Sequence, residues 1–245
     1  MTDKKHFTPW YFINFSLMEY SKSSLLQKRI VSSLNKGSAQ KNFVLWGQHP
    51  PVFTLGRHGG IKNLKVSESF LKEKGVQLFS SERGGDITYH GPGQLVVYPV
   101  FPLHRKRLDV RQYVHNLEEV MIQTAAEFKI EIKRNRKNRG VWCENRKLGS
   151  VGIAIRRGIS FHGFSMNVNL SLEPFRWINP CGMEGVAVTS MEKETRNRVN
   201  EKDVQKLLQK YFAAIFHIEP IHSSLSQLEE LLTPPSGLVP NFQIG

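Results

Sequence analysis

The sequence predicts an α/β (α+β) domain, a mixed sheet with helices packed against it, and two observations carry that prediction. Short apolar runs bounded by Gly and Pro recur along the chain, among them Phe43, Val44, Leu45, Trp46 and the stretch 95–101. Between them stand a few long segments with apolar residues three and four apart, without a helix after every strand. Strict strand–helix alternation would give a parallel sheet, whereas this order gives a mixed one.

The elements follow in order. Leu17, Tyr20, Leu25, Ile30, Val31 and Leu34 have helical spacing, closed by Gly37. Residues 43–46 and 52–55 read as two strands around the break Pro50, Pro51. Residues 95–101 read as a buried strand in which Pro99 argues for an edge or a bulge. A helix is expected over 113–128 through Tyr113, Val114, Leu117, Val120, Met121, Thr124 and Phe128. Residues 140–143 and 151–155 suggest a hairpin, and 161–170 alternate with His162 on the apolar side. Asn200 caps a strongly amphipathic helix running to Phe216, and 225–232 form one more short helix. We read residues 1–220 as one catalytic domain and 221–245 as an extension of short helix and tail.

At 245 residues, 40% hydrophobic and 22% charged, the chain is long enough to bury a large core. No apolar stretch approaches the length that spans a bilayer, and the first residues carry neither a long apolar segment nor a small-residue cleavage site. We therefore expect no membrane contact and a cytoplasmic location, where the two cysteines, Cys143 and Cys181, stay reduced. The net charge of +13 is concentrated in 105–107, 133–139 and Arg156, Arg157, which suits an acidic partner. Nucleic acid is disfavoured, because these runs carry no interleaved aromatics and no helix-turn-helix or zinc-finger spacing is visible.

Three segments could carry chemistry. In Ile178, Asn179, Pro180, Cys181, Gly182 the thiol stands between a helix-stopping Pro and a Gly that lets the backbone bend, a candidate nucleophile. Lys147 precedes the small-residue stretch Gly149, Ser150, Val151, Gly152, and a neighbouring ammonium favours a thiolate at neutral pH. Residues 82–94 crowd Arg83, Asp86, Thr88, Tyr89 and His90 among Gly84, Gly85, Gly91 and Gly93, which permit close approach to a ligand. That segment lacks the glycine spacing of a P-loop or dinucleotide fingerprint, the histidines show no metal-ligand spacing, and no Gly-x-Ser-x-Gly elbow occurs. Cys143, in an apolar run, reads as packing.

Residues 83–95, 146–152, 161–169 (Phe161, His162, Gly163, Phe164, Ser165, Met166, Asn167, Val168, Asn169) and 179–182 together, in this order and spacing, resemble the lipoyl(octanoyl) transferase family. Val97 and the pair Leu148, Gly149 depart from it, standing where glycine and Ile-Ala are expected. The resemblance spans about residues 45–191 and implies the biotin/lipoate protein ligase catalytic-domain fold. It further implies that octanoyl moves from acyl carrier protein to a lysine of a lipoyl domain through a thioester on Cys181, with Lys147 as partner and no ATP, cofactor or metal. Clients would be the lipoyl domains of 2-oxoacid dehydrogenase complexes and the glycine cleavage system carrier. The pocket would be lined by Arg83, Gly84, Gly85, Asp86, Ile87, Thr88, Tyr89, His90, Ser150, Val151, Gly152, Gly163, Phe164 and Ser165. A monomer is expected. The alternatives are an ATP-dependent lipoate or biotin ligase of the same fold, a lipoyl amidotransferase, or a basic nucleic-acid-binding protein.

Overall fold

The computed structural model describes residues 8–37, 39–135, 138–182 and 185–233, with the side chain of Cys181 outside that set. Strand β1 (Trp10–Leu17) leads into α1 (Tyr20–Asn35), and β2 (Asn42–Gln48) and β3 (Val52–Leu55) flank the Pro50, Pro51 break. Next come α2 (Glu68–Glu73), β4 (Gln77–Ser80), β5 (Thr88–His90), β6 (Gln94–Pro102) and α3 (Val110–Glu127). Beyond them lie β7 (Lys133–Arg134), β8 (Val141–Cys143), β9 (Arg146–Arg156), β10 (Ile159–Asn167) and β11 (Ala187–Val188). The last elements are α4 (Met191–Thr195), α5 (Glu201–Phe216), β12 (Pro220–Ser223) and α6 (Leu228–Leu232).

The main sheet runs β12-β1-β2-β6-β10-β9-β8-β7, with β11 beside β9, and β4-β3-β5 form a second, small sheet. Strand β1 is parallel to β2 and β12 and β11 to β9, whereas the other neighbours in the main sheet are antiparallel. The sheet is mixed, as the element order predicts. Alternation on β6 sorts the core: Leu95, Val97 and Phe101 pack with α3 and α5, while Val96, Tyr98 and Val100 pack with Ile30, Val31 and Leu34 of α1. A third cluster, including Phe53, Ile87, Tyr89 and Phe175, joins the small sheet to the residues after β10.

Four expectations change. Pro99 lies in a central strand, between β2 and β10, and not at an edge. It is tolerated because His162, opposite it on β10, has φ 55° and donates its N–H to Gln27 Oε1 on α1. Strand β10 is buried throughout, because its polar alternates are satisfied internally or face a cavity; Asn167, for example, donates to Thr189 O and accepts from Gln94 Nε2. Helix α1 turns Tyr20, Ser23 and Gln27 inward and leaves Leu25 exposed. Residues beyond 220 add edge strand β12 beside β1, and Leu228 is buried in the α1 cluster, so the described part of the expected extension belongs to the fold.

Candidate active site

Lys147 lies near the start of β9, paired across the hairpin with Trp142 of β8. It is only 4% exposed. Its Nζ donates to Asn138 Oδ1 at 2.8 Å and sits 5.3 Å from the centre of the Trp142 ring, whose Nε1 donates to Asn138 O. The segment holding Asn138 is fixed from below by the buried carboxylate of Glu118 on α3, which accepts the Gly140 N–H and faces Arg134. Gly140 cannot carry a side chain, since a Cβ there would lie 2.3 Å from Gly149 O and 3.0 Å from Lys147 Cε.

The 83–88 loop is built on Arg83. Its guanidinium donates to Thr54 Oγ1 and O, Gly84 O and Asp86 O, so the arginine shapes the loop from within. Gly84 N–H donates to Ile153 O, tying the loop to β9. Asp86 accepts from Asn63 Nδ2 and from the Ile87 N–H.

Cys181 lies on a 3-10 turn, Pro180–Gly182. That turn is docked by Asn179 N–H on Asn63 O and by Gly182, where a Cβ would stand 2.4 Å from Asp86 Oδ2. Downstream, β11 runs along β9 with Val188 opposite Lys147 and Thr189 N–H on Lys147 O. The segment from Cys181 to Thr189 thus has one end at Asp86 and the other at Lys147.

Asp86 and Lys147 are both walls of one cavity of about 340 Å³, at the lower end of the usual range for small-ligand sites. Of the expected pocket residues, Arg83, Gly84, Gly85, Asp86, Ile87, Thr88, His90, Ser150, Val151, Gly152, Gly163, Phe164 and Ser165 line it. Tyr89 does not, because its ring is buried against Phe53 and Phe175 in the third cluster. Sequence reasoning missed Tyr20, Tyr98, Asn138, Arg139, Ile153 and His162 as lining residues. Asn138 and Arg139 were hidden in a basic run, and Tyr20 in a helix whose inward face carries serines and a glutamine.

The end of the cavity near α1 is aromatic. Tyr20 stacks on His90 and His162, and Tyr98 meets His162 edge-on. Burial lowers all three neighbouring histidines, His49 to about 4, His162 to about 3 and His90 well below the usual value, with the Arg83 charge adding to the effect at His90 and His162. Three neutral imidazoles result at neutral pH. Cys143 lies elsewhere, half-buried beside Arg146 and Glu194, and burial pushes its thiol up. Among the described residues no cluster of His, Cys, Asp and Glu could hold a metal, and no helix is long and apolar enough to cross a membrane.

A family model described as the lipoyl protein ligase A/B catalytic domain matches residues 19–213. The octanoyltransferase of Desulfotalea psychrophila is 42% identical over 219 residues, covering 87% of this chain and 98% of its own. The chain belongs to the octanoyltransferase family. Another member, from Caldicellulosiruptor saccharolyticus, is 40% identical over 218 residues, covering 88% of this chain and 92% of its own. A solved bipartite lipoate protein ligase of Thermoplasma acidophilum superposes with a TM-score of 0.70 at 15% identity, covering 93% of this chain and 91% of that one, a likeness of fold. The fold expected from the octanoyltransferase resemblance is the fold found.

Proposed function

We propose that this acyltransferase moves octanoyl from acyl carrier protein to a lysine of lipoyl domains through a thioester on Cys181, without ATP or any cofactor. The observation that carries the reading is the cavity joining a buried, positioned Lys147 to the wall on which the Cys181 turn is docked.

The Lys147 ammonium, held by Asn138 and the face of Trp142, favours the thiolate of a nearby cysteine. The thiolate attacks the octanoyl carbonyl, the carbon–sulfur bond to the carrier breaks, and the carrier leaves as a thiol with the proton of the Lys147 ammonium, which becomes a neutral amine. In the second step the client's lysine amine attacks the enzyme thioester, an amide forms, Cys181 departs as thiolate, and the amine's proton passes to a base that Lys147 can supply. Thioester to amide runs downhill, which is why no nucleotide is needed. The acyl chain occupies the largely apolar space along β9 and β10. Lipoyl domains are the acceptors, the enzyme acts as a monomer in the cytoplasm, and the carrier meets the basic surface.

Incubation with octanoyl-carrier protein in the absence of ATP, read by intact-mass spectrometry, gives an octanoyl adduct that Cys181→Ala abolishes. Lys147→Ala shifts the pH profile of Cys181 alkylation upward. An adduct that survives in Cys181→Ala, or transfer that requires ATP, overturns the reading.

A further inference from the structure

His162 is 2% exposed, lines the cavity, and has neither ring nitrogen hydrogen-bonded among the described residues. Buried polar atoms are nearly always satisfied, so two on one ring are an exception that calls for a partner. Its polar neighbours are engaged elsewhere: Tyr20 OH with Ser81 Oγ, Tyr98 OH with His49 Nε2, and Gln27 Oε1 with the His162 main-chain N–H. The ring is neutral, one nitrogen donating and one accepting. The backbone that presents it has φ 55° within a strand, an unusual conformation for a residue other than glycine, and such conformations gather at ligand sites.

The position of this ring along the cavity identifies what would meet it. His162 pairs with Ile153, six residues up β9 from Lys147, which places it roughly 20 Å along the strand at about 3.3 Å per residue. Lys147 reaches back over part of that interval. On the acyl-transfer reading the thioester stands beside Lys147, and a chain laid from there along β9 and β10 points its far end towards the imidazole. A methyl terminus gives the two nitrogens nothing, whereas a hydroxyl can donate to one or accept from the other.

We propose that the α1 end of this cavity is a polar subsite that accepts medium-chain acyl groups bearing a hydroxyl at the distal carbon, with His162 as the specificity-determining residue. The inference rests on the acyl-transfer reading above. The bonds made and broken at the carbonyl stay the same, and the hydroxyl takes no part in them.

The test compares three carrier-bound donors on the intact enzyme: octanoyl, 8-hydroxyoctanoyl and nonanoyl, the last being the methyl counterpart of the second. Specificity constants are measured for transfer to a lipoyl domain. A dry apolar end would favour nonanoyl, because an unbonded buried hydroxyl is penalised. We expect 8-hydroxyoctanoyl to exceed nonanoyl, and the ratio of 8-hydroxyoctanoyl to octanoyl to fall fivefold or more in His162→Phe and to recover in His162→Gln. Because each ratio is taken within one preparation, partial loss of folded enzyme cancels. Nonanoyl at or above 8-hydroxyoctanoyl in the wild type, as when the imidazole merely keeps a fixed water, overturns the proposal even if the Phe variant does not fold. A ratio that falls less than fivefold in His162→Phe also overturns it. If octanoyl itself is not transferred, the acyl-transfer reading fails instead.

Discussion

His49, His90 and His162 decide how this protein responds to acid. Each binds its proton near pH 6.5 in an unfolded chain, but in the fold His49 waits until about 4 and His162 until about 3, while burial holds His90 well below its ordinary value. Below pH 6.5 the unfolded chain therefore takes up more protons than the folded one, and stability falls as pH drops. Each such histidine contributes a slope approaching about 1.4 kcal/mol per pH unit until its folded value is reached. Glu194, held at about 2 by Arg146, adds to the loss only from the ordinary carboxylate range downward, so the window from about pH 7 to about pH 5 isolates the imidazoles. Urea midpoints measured across that window should decline steadily with an unchanged denaturant slope. A flat midpoint would mean that the three rings are hydrated or charge-compensated, contrary to their burial.

Strand β9 lies between β10 and β8, and its glycines are set by what faces them. A Cβ on Gly149 would stand 2.5 Å from Met121 Sδ, 2.9 Å from Val141 Cγ2 and 3.0 Å from Ser165 O. The alanine expected here from the octanoyltransferase resemblance is thus displaced by the methionine that α3 sends to the same space. Gly149→Ala should destabilise the fold by about 1–3 kcal/mol. Combined with Met121→Ala, it should cost less than the sum of the two single changes, with a coupling of at least about 0.5 kcal/mol in a double-mutant cycle of chemical denaturation; strict additivity would show that the two side chains do not compete. The same strand shows how far local pattern carries. The hairpin of β8 and β9, the helix α5 with its Asn200 cap and the two strands on either side of Pro50 were legible, because each depends on neighbours in sequence. Pro99 in a central strand and the polar alternates of β10 inside the core were not, because both depend on partners far along the chain: Gln27 for His162, Gln94 and Thr189 for Asn167. Likewise the glycine-rich 83–88 loop announced a site, whereas Asn138, Tyr20 and Tyr98 became part of it only through the way β6, α1 and the segment before β8 meet.

For the molecule as a whole, the charge of +13 matters by where it remains unneutralised. Sequence alone pointed to residues 105–107 and 134–139 as the face for an acidic carrier. In the fold Arg105 is half-buried on Lys41 O and Asn42 Oδ1, Lys106 donates to His217 O, and Arg134 is paired with Glu118 and Glu119. Residues 105–107 also follow Pro102, which pairs with Ile159, whereas Lys147 lies beyond the opposite end of β10, roughly 30 Å away at about 3.3 Å per residue. Arg57, Lys62 and Lys65 are exposed on the segment whose N–H groups at Arg57 and His58 rest on Arg83 O and Gly85 O, at the back of the cavity loop, and Arg139 is exposed on the cavity wall. Long-range attraction acts chiefly on encounter, so Lys62→Glu combined with Lys65→Glu should slow association with octanoyl-carrier protein by about tenfold at low salt and leave dissociation nearly unchanged. The deficit should shrink as ionic strength rises and the Debye length falls to about 8 Å. Arg107→Glu, at the far end of β10, should alter the association rate by less than about twofold. Stopped-flow association across a salt series separates the two faces, and equal slowing by both substitutions would mean that the carrier senses net charge instead of the face behind the cavity loop.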